Sequence, residues 1–287
     1  MRSPVTVEDE LAGPIERAAR LCRAHGPIVV FTGAGVSTES GIPDFRSPTG
    51  VWARYRPDDF SYQSFLGSEE GRRRYWTVGR ELYGAIRGAR PNAAHQAIRD
   101  LDRLGLLDCV ITQNIDNLHQ RSGVAAEKVI ELHGNATRAR CLECGAGVSR
   151  DALQERLEAG ESVPACRACG GIVKPCTILF GEPMPVQAVE QAERRARTAG
   201  TLLVVGSSLV VYPAAYVPVY AKEAGARLII VNLTPTPLDH AADVLVPGLA
   251  GQVMSRLVER LRTLAGDPGR RGVARLTAPR VPGKEDS

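Results

Sequence analysis

The sequence predicts an α/β protein, a parallel sheet covered on both faces by helices, with a separate cysteine-bearing module. Three observations carry this expectation. Short unbroken apolar runs, at 28–31, 202–205 and 228–231, alternate with segments of helical periodicity, and strands buried on both faces read as continuous apolar runs. The first run enters a glycine-rich turn, Gly33-Ala34-Gly35, and four of the seven cysteines fall into two CxxC pairs. The length of 287 residues allows about two structural units at roughly 150 residues each.

From the start, residues 15–25 place apolar side chains at helical spacing, and Pro27 followed by IVVF reads as a buried strand. Residues 48–90 are irregular, rich in aromatics and charge, with a helix expected over 69–86, so this stretch reads as an insertion. A helix is expected over 92–104 and strands over 108–113 and 128–134. The segment 138–171 carries the paired cysteines around a short helix at 151–158 and is too polar to hold a core unaided. Beyond it come a helix at 186–198, a strand from Thr201 into a Gly-Ser turn, a helix at 214–224, a strand at 227–232 and a last helix at 251–264. The tail after it is rich in Pro, Gly and Arg and is expected to be flexible.

Composition excludes several classes. Hydrophobic residues at 44% and charged residues at 24% are ordinary globular usage and argue against a disordered chain. No apolar stretch reaches the roughly 18 residues of a membrane span. Glu8, Asp9 and Glu10 stand where a secretory signal needs an apolar core, so the expected compartment is the cytoplasm. The net charge of +4 is mild and its arginines are spread along the chain, so no direct nucleic-acid partner is expected.

The turn after the first strand is a partial dinucleotide fingerprint. Thr38 stands where G-x-G-x-x-G has its third glycine, and a Gly-Ala-Gly turn serves tight packing as readily as phosphate binding. Asp44, Phe45 and Arg46 follow closely, which a mere turn would not need. Gln113, Asn114 and Asp116 lie just past a strand, and His133 lies at the end of another. Carboxyl ends of strands gather ligand groups in α/β sheets, and imidazole can accept a hydroxyl proton near neutral pH. Cys141-x2-Cys144 and Cys166-x2-Cys169, with 21 residues between the pairs, supply four thiolates for a tetrahedral zinc that leaves no open position for water. That metal is structural.

Together these stretches resemble the sirtuins, the NAD-dependent protein deacylases: GAGVSTESGIPDFRS at 33–47, TQNIDNLH at 112–119, His133-Gly134, both CxxC pairs, FGEPMP at 180–185, GSSLVVYPAA at 206–215 and VNLTP at 231–235. The resemblance covers roughly 14–262. It implies a Rossmann-like doubly wound sheet from 14–47, 90–137 and 174–262. A small domain would be made of the helical insertion 48–89 and the zinc module 138–173, with 1–13 and 265–287 as tails. It further implies that NAD is met by Gly33, Ala34, Gly35, Asp44, Phe45, Arg46, Gln113, Asn114, Ile115, Asp116, Gly206, Ser207, Ser208, Asn232 and Ala250. Phe180, Gly181, Glu182 and Val210 would meet the substrate, the first three by strand addition. His133 would be the general base, with Asn114 beside it. In this family the acyl-lysine carbonyl oxygen attacks the ribose C1′ of NAD, nicotinamide leaves, and the base-activated ribose hydroxyl takes the acyl group. The implied partners are acylated lysine side chains of other proteins.

Two departures from the family pattern, Gly-Ser-Ser for the commoner Gly-Thr-Ser at 206–208 and Lys174 where arginine often precedes proline, put adenosine-side affinity in question. The alternatives are mono-ADP-ribosyl transfer, which has less use for a base at the ribose hydroxyl, and an idle NAD-sensing or DNA-associated module, which would be marked by loss of Asn114, Asp116 or His133. All three residues are present.

Overall fold

The computed structural model describes residues 7–266. Helix α1 (Val7–Ala24) leads into β1 (Ile28–Thr32), and two helices, α2 (Tyr62–Gly67) and α3 (Glu69–Gly88), fill the insertion that follows. Next come α4 (Ala93–Arg103), β2 (Leu107–Thr112), α5 (Leu118–Ser122) and β3 (Val129–Glu131). The chain then makes β4 (Gly134–Cys141), β5 (Gly147–Ser149), α6 (Arg150–Glu158) and β6 (Val173–Thr177). It closes with α7 (Val186–Thr198), β7 (Thr201–Val205), α8 (Tyr216–Glu223), β8 (Arg227–Asn232), β9 (Val244–Pro247) and α9 (Ala250–Gly266).

Six strands form one sheet in the order β3-β2-β1-β7-β8-β9, every pair parallel. Successive side chains of a strand point to opposite faces, and both faces are covered. Ile28, Val30, Val110, Leu203, Val205 and Ile229 pack against α1, α4 and α9 through Ala18, Ile98, Met254 and Leu257. Val29, Phe31, Ile111, Leu202 and Val204 pack on the other side against α7 and α8 through Ala192, Ala196, Val217 and Ala221. Each such side chain, fully buried, contributes about 1.5–3 kcal/mol, which is why these runs carry no polar alternation.

The second sheet, β5-β4-β6, is antiparallel. Its residues Ala139, Cys141 and Val173 join Leu153 and Leu157 of α6, and Phe65, Tyr75 and Trp76 of the insertion, in one apolar cluster. The two excursions from the main sheet therefore share a core. Arg150, 2% exposed, lies 4.0 Å from the Tyr83 ring and 5.4 Å from that of Trp76. It donates to the carbonyl of Gly79 and to Gln154, fastening α6 to α3.

Several expectations are corrected. The first helix begins at Val7 rather than near 15, because Leu11 joins Ile15 in the main core; of the expected tails, 7–13 and 265–266 are helical, and 1–6 and 267–287 lie outside the described residues. The strand expected over 128–134 is divided: β3 ends at Glu131, and Gly134 opens β4 in the other sheet. Gly134 has φ +72°, and a Cβ there would sit 2.0 Å from the Cys176 carbonyl oxygen, so glycine is what lets the chain change sheets. The strand after Thr201 stops at Val205. Neither the small sheet nor β9 was anticipated; β9 is a four-residue edge strand ending on Pro247, too short to announce itself.

Candidate active site

In the main sheet the chain runs β1, β2, β3 toward one edge, then crosses back to β7, β8 and β9. Ligand crevices of open α/β sheets open at such a reversal, outside the carboxyl ends of the strands. Four loops meet there: 33–47 after β1, 113–117 after β2, 206–209 after β7 and the short link 132–133 after β3.

The loops after β1 and β7 touch backbone to backbone. Gly33 and Gly35 donate their N–H groups to the carbonyls of Val205 and Gly206, and a Cβ at Gly33 or Gly35 would stand 2.8–2.9 Å from Gly206. Both glycines are thus required for close packing of two turns, the plainer of the two roles a Gly-Ala-Gly turn could have. On the other side Gln113 Nε2 donates to Ser207 Oγ at 2.9 Å, joining the β2 and β7 loops.

At the centre lies a buried polar cluster. Asn114 Nδ2 donates to the Gly33 carbonyl and to Ser37 Oγ, each at 3.1 Å. The Ser37 hydroxyl donates to Asp116 at 2.7 Å, and the Leu118 N–H donates to the other carboxylate oxygen at 2.9 Å. Burial pushes the Asp116 carboxyl above its ordinary value, against the pull of those two donors. Ser37 is one of several small polar residues in the loop after β1, and its importance depends on a contact across 79 residues that no local motif marks.

His133 is half-buried. Its Nδ1 lies 3.0 Å from the carbonyl oxygen of Gln113. A carbonyl can only accept, so Nδ1 carries the proton and Nε2 keeps its lone pair. Burial lowers the pKa of the ring below its ordinary value, and the Gln113 bond opposes this, so the ring is neutral at neutral pH. Such a group can receive a proton at Nε2 while its orientation stays fixed through the other nitrogen.

Behind the cluster a second polar chain is fully buried. Thr32 Oγ1 bonds to Thr112 Oγ1 at 2.8 Å and lies 2.9 Å from His119 Nε2, and Thr112 Oγ1 receives the N–H of Asn114. The His119 ring lies 5.0 Å from that of His95, whose Nδ1 faces Asn92 Oδ1 at 3.0 Å. Desolvation holds His95 down at about 4 and His119 well below its ordinary value. No motif in the sequence singles out His95.

The remaining expected residues fall as follows. Asp44 accepts the N–H groups of Arg46 and Ser47 and closes its own loop, and Arg46 is exposed. Phe45 lies 5.2 Å from Trp52, which lies 5.5 Å from Phe60 and 5.8 Å from Phe180, giving an aromatic wall the sequence did not reveal. Ile115 packs with Ile42 against Tyr83, Ile86 and Ala136. Asn232 turns into its own loop, donating to the Thr234 carbonyl at 2.7 Å. Ala250 is buried at the start of α9, where the Gly251 N–H donates to Glu39. Val210 and Gly181 are exposed and Ser208 is partly so.

Two readings change at the loop after β6. Phe180 already pairs both backbone groups with the insertion: its N–H donates to the Phe60 carbonyl and its carbonyl accepts from Tyr62. The Glu182 carboxylate is turned inward onto Lys174 at 2.8 Å. Of the expected strand-addition residues, exposed Gly181 is the one whose backbone faces outward unengaged by these contacts. Lys174 lies in β6 with its ammonium bound to this loop, so the departure from the family pattern there falls beside Glu182 and not among the loops after β7 and β8 that were expected to meet the adenosine.

The four paired cysteines are brought together, their Sγ atoms all within 4.8 Å of one another. Cys141 and Cys169 are 3.5 Å apart, and Cys144 and Cys166 are 3.8 Å apart. Ligands about 2.3 Å from a tetrahedral zinc stand about 3.8 Å from each other, so the cluster fits zinc. The Gly171 N–H donates to Cys169 Sγ at 3.4 Å.

A family model described as the Sir2 family matches residues 33–213. The chain is 43% identical over 262 residues to an Archaeoglobus fulgidus protein named NAD-dependent protein deacylase 2, covering 91% of this chain and all (100%) of that one. It resembles a solved Sir2 structure described as holding a deacetylated p53 peptide and 3′-O-acetyl ADP-ribose, with TM-score 0.80, 37% identity, and coverage of 85% of this chain and 97% of the other. A Sir2 protein bound to a myristoylated histone peptide superposes with TM-score 0.73 and 38% identity, over 88% of this chain and 98% of that one.

Proposed function

The chain belongs to the Sir2 family, and from that premise we propose that it is an NAD-dependent protein-lysine deacylase that yields O-acyl-ADP-ribose, nicotinamide and free lysine. The observation that carries this reading is His133, held by the Gln113 carbonyl in the one tautomer whose Nε2 can accept a proton, beside the cluster of Ser37, Asn114 and Asp116.

NAD supplies the electrophilic ribose carbon and the leaving nicotinamide. His133 receives the proton of a ribose hydroxyl at Nε2, a task that asks for correct placement more than for a shifted pKa. Asn114, anchored through its amide nitrogen to Gly33 and Ser37, presents its carbonyl oxygen to the ribose. Asp116, with Ile115 beside it, holds the carboxamide; desolvated groups fixed before reaction interact strongly because nothing must reorganise. The loop from Ala34 through Arg46 and the turn at Gly206 to Ser208 enclose the diphosphate, and Asn232 and Ala250 lie toward the adenosine. The aromatic wall of Phe45, Trp52 and Phe180 receives the acyl-lysine stem, with Gly181 and Val210 on either side of the peptide. Cys141, Cys144, Cys166 and Cys169 hold a structural zinc. A cytoplasmic location belongs to the same reading, supported by seven cysteines, none in a disulfide.

The test is mass spectrometry of an acetyl-lysine peptide incubated with and without NAD. The reading expects NAD-dependent loss of the acetyl group with matching O-acetyl-ADP-ribose. Attachment of ADP-ribose to the peptide, without deacetylation, would overturn it in favour of ADP-ribosyl transfer.

A further inference from the structure

Lys174 of β6 is 3% exposed, an uncommon place for an ammonium group unless every proton has a partner. Here they all do. The three protons of Nζ meet the Pro175 carbonyl at 3.3 Å, the Thr177 carbonyl, and the Glu182 carboxylate at 2.8 Å. The Glu182 side chain is itself 11% exposed, and the oxygen that meets Lys174 also accepts the Leu179 N–H at 2.9 Å. The ammonium therefore bridges the start and the end of residues 177–182, closing that segment into a small ring.

What the segment touches gives the bridge its significance. At its start the Ile178 N–H donates to the carbonyl of His133 at 2.9 Å. At its middle Phe180 pairs with Phe60 and Tyr62 at 3.0 and 2.9 Å, and Gly181 presents the exposed edge. A single stretch of six residues thus connects the backbone of the proposed base to the edge that meets the peptide, and Lys174 sets its length. We propose that Lys174, through Glu182, is a positioning residue that holds the peptide edge at Gly181 in fixed distance from His133.

This inference rests on the deacylase reading. Reacting groups displaced by about 1 Å can lose on the order of 100-fold in rate, so a slackened segment should weaken productive peptide binding while sparing NAD, which is met by the loops of the other strands. In Lys174→Met the KM for an acetyl peptide should rise by about 10-fold or more, and kcat should fall less. The Kd for ADP-ribose should stay within about 2-fold, and Lys174→Arg should restore most of the peptide KM, because a guanidinium keeps the charge and several donors. Where Lys174→Met does not fold, Glu182→Gln decides the matter: it keeps shape, removes the charge from the bridge, and should raise peptide KM in the same direction. An unchanged peptide KM, or an equal loss of ADP-ribose affinity, overturns the inference. Absence of NAD-dependent deacylation in the unaltered protein would instead overturn the reading on which it rests.

Discussion

His133 shows how a single residue joins legible and hidden information. Its place at a strand end before a glycine is visible in the sequence, whereas its fixed tautomer depends on the Gln113 carbonyl 3.0 Å away. We expect His133→Ala to lower deacylation by about 100- to 10,000-fold and to leave ADP-ribose binding within a few-fold, as checked by calorimetry; near-normal turnover would remove the residue from the chemistry. Because burial lowers the pKa of this ring, and the neutral form is the base, activity should persist below the ordinary histidine range as pH falls. A kcat/KM profile whose acid limb lies above pH 6.5, the ordinary value, would contradict the assignment. His95 gives a stability effect of definite sign. Its folded pKa is about 4 against an ordinary 6.5, so below pH 6.5 the unfolded chain takes up a proton that the native state refuses. Stability contributed by the neutral ring is complete above 6.5 and is lost as pH falls toward 4, by about 3 kcal/mol in all. Urea unfolding at pH 7.5 and 5 should show a smaller pH dependence in His95→Gln than in the parent, and equal dependence would refute the account. Ser37 and His95 were hidden in the sequence because each matters through partners distant along the chain or buried around it, whereas Lys174 stood out there only as a departure from the family pattern.

Among the elements, the cysteine module and the helical insertion were each recognisable, one by ligand spacing and the other by its break in βα rhythm. Their union was not. It rests on Arg150 wedged between Trp76 and Tyr83 and on an apolar cluster drawn from both segments, which no local pattern encodes. Arg150→Met should cost about 2–4 kcal/mol, from lost ring contacts and an unsatisfied Gly79 carbonyl. Hydrogen exchange should locate the loss in α3 and α6, with β7 and β8 still protected; uniform loss would show that the two halves unfold together. We expect the insertion also to bear on acyl choice. It has no Tyr-x-x-Arg pair of the kind seen in sirtuins that favour acidic acyl groups: the residues three after Tyr55, Tyr62, Tyr75 and Tyr83 are Asp58, Phe65, Val78 and Ile86. Of the arginines that could substitute, Arg54 is paired with Glu81, Arg74 faces Asp59 and Glu70, and Arg80 is exposed on α3. We expect acetyl-lysine to exceed succinyl-lysine in kcat/KM by about 10- to 100-fold, the effect of a carboxylate left without its charged partner. A preference for succinyl-lysine on matched peptides would disprove it.

At the scale of the whole molecule, the parallel sheet was legible because strands buried on both faces cannot be polar, and the crevice followed because such sheets bind ligands at their carboxyl ends. The small antiparallel sheet was not, since its strands alternate with polar residues and depend on the metal and the insertion for a core. β1, at the middle of the large sheet, pairs with β2 on one side and with β7 on the other, Ile28 lying opposite Thr201. On the ribosome, at about 5–20 residues per second, the second neighbour emerges roughly ten to thirty seconds after the first strand. For that interval the nascent chain carries an apolar strand with one open edge, a template for pairing with other chains. A release fragment ending at Thr198 should therefore sediment with aggregates or be captured by chaperones, while the full-length chain should not. A fragment that stays monomeric in fractionated translation reactions would mean that the covering helices guard the edge before its partner arrives.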